Sequence, residues 1–412
     1  MDLYKEIKKK IKTKKVRITI VGLGYVGLPL MNLVAKKFYV NGVDNNKNLL
    51  NSLKTKNNNK NITYNSSILS AKNSDVIIFA LPTPLKKNNT PDLTILKKAT
   101  NQDYKFYKNK LVIVESTSYP GTTKELFNKF KKKLKIGQNF FLSYSPERID
   151  PANKQFNVYN IPKIVSGETK KCFELSKEFY SIICKKVIPA KNIETAEFAK
   201  IFENIFRSVN IGLVNESKII ASKLNINFRD VLKLASTKPF GFMKFNPGPG
   251  VGGHCIPVDP FYLSWLAKKK KFQTRFIKLS GEINQSMPTY IVKTIEKYFK
   301  QKKINNPKIL LLGMAYKKNV ADIRNSPSLN IFYELKKIYK NIFFNDEYVK
   351  KIKFKKQTIN SKKIILSELN KYDLLVMLAD HDYYNKKKIL EFSNLIFDTR
   401  QTFDENKKVI QV

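Results

Sequence analysis

The stretch VRITIVGLGYVG, from Val16 to Gly27, decides the fold. Val16–Val21 is a short β-branched run, the composition of a strand buried on both faces of a parallel sheet. Three glycines follow in the order G-x-G-x-x-G: Gly22, Gly24 and Gly27. The first permits a tight turn, the second lets backbone approach a pyrophosphate, and the third lets a helix pack close to the strand. Residues 25–37 read as that helix, and its N-terminus turns a partial positive charge toward phosphates. Gly22, Gly24, Tyr25, Val26 and Gly27 are therefore candidate cofactor contacts. Tyr39–Val43 reads as a second strand ending at Asp44. A carboxylate there accepts hydrogen bonds from ribose hydroxyls and repels a 2′-phosphate, so the expected dinucleotide is NAD.

The same region invites a rival reading. Met1–Lys15 is lysine-rich and an apolar run follows to Ala35, which mimics a signal peptide or anchor. Gly22, Gly24 and Gly27 interrupt that run, and Arg17 and Asn32 sit inside it, so strand, turn and helix explain it better. No other stretch approaches the roughly 18 apolar residues of a membrane span, and no membrane partner is expected.

Outward from the glycine turn, strands are expected at Asp75–Leu81, Lys110–Glu115 and Asn139–Ser143. Strands alternating with helices imply βαβ units and a parallel sheet. After Pro189 the character changes. Residues 192–224 read as one long helix without proline, 227–236 as another, and a Gly/Pro-rich loop spans Lys238–Pro260 before helical patterning returns to about Lys300. Near Pro307 the β pattern resumes, with Lys308–Gly313, Asp373–Leu378 and Leu395–Asp398 as strands. The expected class is α/β, with domains at 1–190, 191–302 (all-α) and 303–412 (α/β again).

The chain carries 77 Lys plus Arg against 33 Asp plus Glu, a formal charge of +44. Such a charge raises the question of nucleic acid. The lysines are dispersed along the whole chain together with abundant asparagine and isoleucine, the mark of a bias applied to every exposed position. A nucleic-acid surface needs cations gathered on one face among stacking aromatics, so none is expected. A basic surface does steer an anionic substrate at long range. Three cysteines, Cys172, Cys184 and Cys255, make no disulfide framework and suit a reducing cytoplasm. His254 and His381 are the only histidines, and no Cys/His cluster has metal-ligand spacing.

Chemistry-bearing residues gather at strand ends. Pro82-Thr83-Pro84, Glu115–Gly121 and Ser145-Pro146-Glu147-Arg148 each follow a strand, at the carboxyl edge where open α/β sheets bind ligands. Lys200 and Asn204 lie four apart on the long helix and share a face that Arg207 extends; Glu197 and Glu203 nearby offer simple ion pairing instead. The most specific motif is GPGVGGHCIPVDP over 248–260, whose glycines are read as bare backbone near a ligand. Cys255 within it is a candidate nucleophile, whereas Cys172 and Cys184, in apolar or helical surroundings, read as buried structural thiols.

The order of these motifs resembles the UDP-glucose/GDP-mannose dehydrogenase family from about Val16 to Arg400: GLGYVG, PTP, STSYPGTT, SPER, AKIFENIFRSVN, GPGVGGHCIPVDP, GMAYKKNVADIRNSPS and DTR. The resemblance implies an N-terminal Rossmann NAD-binding domain, a central helical domain whose long helix builds a homodimer or larger assembly, and a C-terminal Rossmann-like UDP-binding domain. It implies NAD-dependent, metal-free oxidation of a UDP-sugar C6 hydroxyl to the acid, with Cys255 forming a thiohemiacetal and then a thioester. Lys200 and Asn204 would stabilise the oxyanion, Asp259 and Thr117 order water or take protons, and Glu147 serve thioester hydrolysis. Pro82, Thr83 and Thr117 would join the glycine loop and Asp44 around NAD. Arg148, Arg207, Gly250, Gly252, Lys317, Arg324 and Arg400 would join Glu147, Lys200 and Asn204 around the nucleotide-sugar. The segments 200–210 and 237–277 are most similar to the branch acting on UDP-N-acetylglucosamine, within surface-polysaccharide synthesis. Lys244 and Asn246 depart from it beside the sugar loop, so UDP-glucose and other UDP-N-acetylhexosamines stay open.

Overall fold

The computed structural model describes residues 2–150, 153 and 155–412. They form two compact units that divide between Glu203 and Asn204, inside one continuous helix.

The first unit is an eight-stranded sheet: β1 (Ile18–Val21), β2 (Val40–Val43), β3 (Ile62–Asn65), β4 (Val76–Phe79), β5 (Leu111–Val114), β6 (Phe141–Tyr144), β7 (Lys163–Gly167) and β8 (Val187–Pro189). Their spatial order is β3-β2-β1-β4-β5-β6-β7-β8, parallel except where β7 runs against β6. The order reverses between β1 and β4, and in open α/β sheets that switch point opens a crevice at the carboxyl ends of the strands. The turn after β1 and the Pro82–Pro84 loop after β4 both stand there.

Helices cover both faces, and the two-residue period of each strand sorts its side chains between them. Ile18, Ile20, Val76, Ile78, Leu111 and Ile113 join one cluster with α1 (Leu3–Lys12), α2 (Gly27–Val34), α3 (Lys47–Lys56) and α7 (Lys170–Ile183). Val21, Ile77, Phe79, Val112 and Val114 join the other with α4 (Thr94–Thr100), α5 (Tyr104–Tyr107) and α6 (Thr122–Phe127). Most of the lysine-rich N-terminus is α1, and Met1 lies outside the described residues. Ile7 and Ile11, one turn apart, are buried, and Asp2 caps the helix by accepting the Tyr4 N–H at 3.2 Å.

The long helix α8 (Ile193–Lys223) extends for about 46 Å at 1.5 Å per residue. In the second unit α9 (Phe228–Ala235), α10 (Asp259–Lys269) and α11 (Arg275–Gln301) precede a parallel five-stranded sheet. Its strands are β9 (Ile309–Leu312), β10 (Ile342–Asn345), β13 (Leu374–Met377), β14 (Ile396–Asp398) and β15 (Val409–Gln411), with a separate hairpin of β11 (Lys351–Phe354) and β12 (Gln357–Asn360). α11 and α12 (Pro327–Ile338) cover one face of that sheet and α13 (Lys386–Phe392) the other. Ile291, Ile295 and Phe299 of α11 lie in the same apolar cluster as Ile309 and Leu311 of β9. α11 and the second sheet thus share a core across the boundary expected at 302/303.

Candidate active site

Each glycine of the first turn meets a different demand. Gly22 has φ +96°, and a Cβ there would stand 2.6 Å from the Ala80 carbonyl oxygen. A Cβ on Gly27 would stand 1.8 Å from the Gly22 oxygen, so α2 approaches β1 only because it is absent. Gly24 has open space where its Cβ would be, which leaves its backbone accessible to a bulky anion. Tyr25 is exposed and Val26 caps α2. Asp44 accepts the Leu23 N–H through Oδ2 at 2.9 Å and the Asn46 N–H through Oδ1 at 2.9 Å. The second strand's terminal carboxylate is thereby tied to the glycine loop, with acceptor capacity left on both oxygens. These features fit a dinucleotide, for which Gly24 would offer backbone to the diphosphate and Asp44 an acceptor to the ribose.

Two neighbouring rim loops are tied together. The Thr83 hydroxyl donates to the Thr117 carbonyl at 2.6 Å, and the Leu81 N–H donates to Ser116 Oγ at 2.9 Å. Pro82 stays exposed on this rim. The 115–121 loop is fixed in turn by Glu197 of α8, which accepts the Gly121 N–H at 2.5 Å and the Thr123 N–H and hydroxyl at 2.9 and 2.7 Å. Glu197 is fully buried, and burial pushes its carboxyl up to about 7 against those donors. Glu203 pairs with Arg148 at 2.6 Å. Neither acid takes the simple pairing with Lys200 that their spacing offered. Lys200 is buried and, among the described residues, is paired with no carboxylate.

Beneath the third rim loop lies a wholly buried charge cluster. Lys163 Nζ stands 3.1 Å from Glu147 Oε2 and 3.0 Å from Glu115 Oε2. Glu147 Oε1 also accepts the Arg148 and Ile149 N–H groups at 2.7 and 2.9 Å, and the Tyr180 hydroxyl donates to Glu115. Burial pushes the Glu147 carboxyl up, but the Lys163 ammonium and the two N–H groups outweigh it and hold the acid below its usual range. Glu115 moves the other way: burial, with the Glu147 charge, raises it against the pull of Lys163. Nothing in the sequence singled out Lys163. Its only signal is a lysine set inside the apolar strand Lys163–Gly167, and the lysine bias of the chain hid it.

In the second unit, Asn204 Nδ2 donates to Asp259 Oδ2 at 2.6 Å, both side chains being buried. The Cys255 carbonyl accepts the Asp259 and Val258 N–H groups at 2.8 and 3.1 Å, so a tight turn carries the chain from the thiol into α10. Cys255 is a partly exposed thiol, whereas Cys172 and Cys184 are buried and burial pushes both upward, Cys184 to about 12. Arg207, expected on the Asn204 face, is exposed.

The glycines after Pro247 are each required by close packing. A Cβ on Gly248 would meet Arg400 Nη1 at 2.7 Å, one on Gly250 the Asn284 carbonyl at 2.7 Å, and one on Gly252 the Tyr316 Cβ at 2.5 Å. Arg324 forks onto Asp322 and also stands 3.1 Å from His254 Nδ1. Guanidinium only donates, so His254 Nδ1 accepts and the neutral ring carries its proton on Nε2. Lys317 follows β9 in a loop pinned by buried His381, whose Nδ1 accepts the Asn319 N–H at 2.8 Å while Nε2 faces Asp346 at 3.2 Å. Asp346 also accepts the Met314 and Ala315 N–H groups. The hold of His381 and Asp346 on this loop was not legible in the sequence because both stand far from Lys317 along the chain. Arg400 Nε donates to the Leu378 carbonyl at 2.7 Å, and burial lowers its guanidinium to about 10.

Sequence models of three domains match the chain in order: the NAD-binding domain of the UDP-glucose/GDP-mannose dehydrogenase family over residues 16–184, its central domain over 194–286 and its UDP-binding domain over 310–405. The chain belongs to that family. Protein CapL of Staphylococcus aureus is 37% identical over 94% of this chain and 95% of its own. The UDP-N-acetyl-D-glucosamine 6-dehydrogenase of Pseudomonas aeruginosa is 32% identical over 97% and 100%. Among solved structures, the UDP-D-ManNAc dehydrogenase of Pyrococcus horikoshii superposes with a TM-score of 0.84 at 27% identity, covering 95% of this chain and 96% of that one. This family member is an NAD-dependent UDP-sugar dehydrogenase with three domains, an N-terminal Rossmann domain, a central helical domain and a C-terminal UDP-binding domain. Among the described residues no helix is long and apolar enough to cross a membrane.

Proposed function

We propose that this dehydrogenase converts the C6 hydroxyl of a UDP-N-acetylhexosamine, UDP-N-acetylglucosamine before others, to a carboxylate for surface-polysaccharide synthesis in the cytoplasm. The observation that carries the reading is the partly exposed Cys255 thiol on a turn whose carbonyl anchors Asp259, itself held by Asn204 at 2.6 Å. NAD, when bound, accepts one hydride in each half of the reaction. Gly22, Gly24, Tyr25, Val26, Gly27, Asp44, Pro82, Thr83 and Thr117 hold it. Cys255 Sγ adds to the C6 aldehyde, giving a thiohemiacetal; loss of a hydride and a proton leaves a thioester, which water hydrolyses to the acid with return of the thiol. The Lys200 ammonium and the Asn204 amide stabilise the oxyanion, as a buried cation and donor do best where water is excluded. Asp259 and Thr117 order water and take protons, and Glu147 serves the hydrolysis. Arg148, Arg207, Lys317, Arg324 and Arg400, with the Gly250–Gly252 backbone, bind the nucleotide-sugar.

UDP-N-acetylmannosamine is the second reading, favoured by the name of the P. horikoshii enzyme. The α8 residues Phe198, Phe202, Phe206, Leu213 and Ile220 are exposed at helical spacing along one stripe, which supports a homodimer through this helix. The test is NADH released per sugar consumed across a panel of UDP-sugars, for wild type and Cys255→Ser. Two NADH per UDP-N-acetylglucosamine, with kcat/KM above that for UDP-N-acetylmannosamine and UDP-glucose, is expected. Near wild-type turnover by Cys255→Ser with two NADH per sugar would sink the covalent route, and a higher kcat/KM for another sugar would reassign the substrate.

A further inference from the structure

The buried charge cluster under the Ser145–Ile149 loop has no role in that scheme beyond Glu147 itself. It contains two carboxylates and one ammonium, all at 4% exposure or less. One ammonium neutralises one carboxylate, and an uncompensated charge in such a place is costly. The three groups therefore hold one extra proton or one unpaired charge. Geometry decides which acid is ionised. Glu147 receives three donors: the Arg148 and Ile149 N–H groups on Oε1 and Lys163 on Oε2. Glu115 stands 3.0 Å from Lys163 Nζ, yet its Oε2 makes no well-directed hydrogen bond, and its other oxygen meets the Tyr180 hydroxyl. With one directed donor, the Tyr180 hydroxyl, against three on Glu147, Glu115 is the less stabilised carboxylate and the one that holds the extra proton.

We infer that Lys163 is a positioning residue for the second half of the reaction: it keeps Glu147 ionised and its loop folded, while Glu115 stays a neutral carboxylic acid. This rests on the reading that Glu147 serves thioester hydrolysis. The groups facing Glu147 are few. Lys163 comes from β7, Glu115 from the end of β5, Tyr180 and Cys184 from the end of α7, and Arg148 from its own loop, where Glu203 of α8 already pairs it. Tyr180 and Cys184 are held protonated by burial, so among the described residues Lys163 is the one cation placed on the Glu147 carboxylate. Replacing Lys163 with an apolar side chain leaves Glu147 with its two N–H donors beside a second acid. Its proton affinity then rises, and the carboxylate disappears at a pH where the native one persists.

The experiment is the pH profile of kcat, with intact-mass detection of the acyl adduct, on full-length enzyme. Lys163→Met should accumulate the adduct near neutral pH, with the acidic limb of kcat moved up by one pH unit or more and activity recovered at alkaline pH. Lys163→Arg should restore the wild-type limb. Glu115→Gln, which mimics the neutral acid, should keep that limb where it is, and this arm stands even if Lys163→Met does not fold. A uniform loss by Lys163→Met at every pH, or a limb displaced by Glu115→Gln, would overturn the inference. Glu147→Gln separates it from the reading beneath: free turnover by that variant removes both, whereas a trapped adduct there beside an unshifted Lys163→Met profile removes the role of Lys163 alone.

Discussion

Single residues show how differently one side-chain type is used here. Most lysines are solvated, Lys163 is matched to buried acids, and Lys218 on α8 is buried with no hydrogen-bond partner among the described residues. Burial lowers its ammonium to about 8, the Arg400 charge adding to the effect and Asp398 opposing it. A lysine whose folded value lies below its unfolded one costs stability while charged in the fold. That cost is complete below pH 8 and disappears as pH rises from 8 toward 10.5. Lys218→Met should therefore raise the thermal midpoint at pH 7, by at most about 3 kcal/mol of stability, and should lack the alkaline rise of the wild type. A lower midpoint for the variant would mean that the ammonium has a stabilising partner.

At the scale of elements, the contact between α8 and the loop entering α6 rests on Glu197. Its folded value near 7 lies above that of a free carboxyl, so the fold favours the protonated acid. Such a group stabilises fully below about pH 4.5, and the contribution falls as pH rises through 7. Glu197→Gln loses acceptor capacity toward the Gly121 N–H at every pH but does not titrate. The midpoint gap between wild type and variant should be widest near pH 5 and shrink by pH 8, by up to roughly 3 kcal/mol. A gap that widens with pH would show that the three donors outweigh burial.

For the molecule as a whole, the apolar stripe of α8 bears on assembly. Phe202 and Leu213 are 56% and 57% exposed, too apolar a helix face to leave in water at no cost. Light scattering should give twice 47.7 kDa for the wild type. Phe202→Lys with Leu213→Lys should bring it to one chain with the near-ultraviolet spectrum retained. A wild-type monomer, or an unchanged dimer in the variant, would place the interface elsewhere or nowhere.

Local chemistry made much of this legible along the chain. The turn after β1, the one long helix and the ends of the inner strands follow from glycine stereochemistry and from periods of 2 and 3.6, which neighbouring residues alone determine. Asp44, Thr83, Thr117 and Cys255 were legible as candidates because polar groups at strand ends and in glycine loops have few structural uses, and Asn204 because it shares a helix face with Lys200 four residues before it. Short or edge strands such as β3, β8 and β15 were not, since their pairing partners, rather than their own composition, make them strands. Tertiary structure alone decided which Glu pairs with which base, that the 248–253 glycines yield to Arg400 and Tyr316, and that Lys163 belongs to Glu147 and Glu115. Burial and charge pairing depend on what the fold brings within about 3 Å, and in a chain biased toward lysine the letter K does not distinguish a solvated ammonium from one enclosed between two acids.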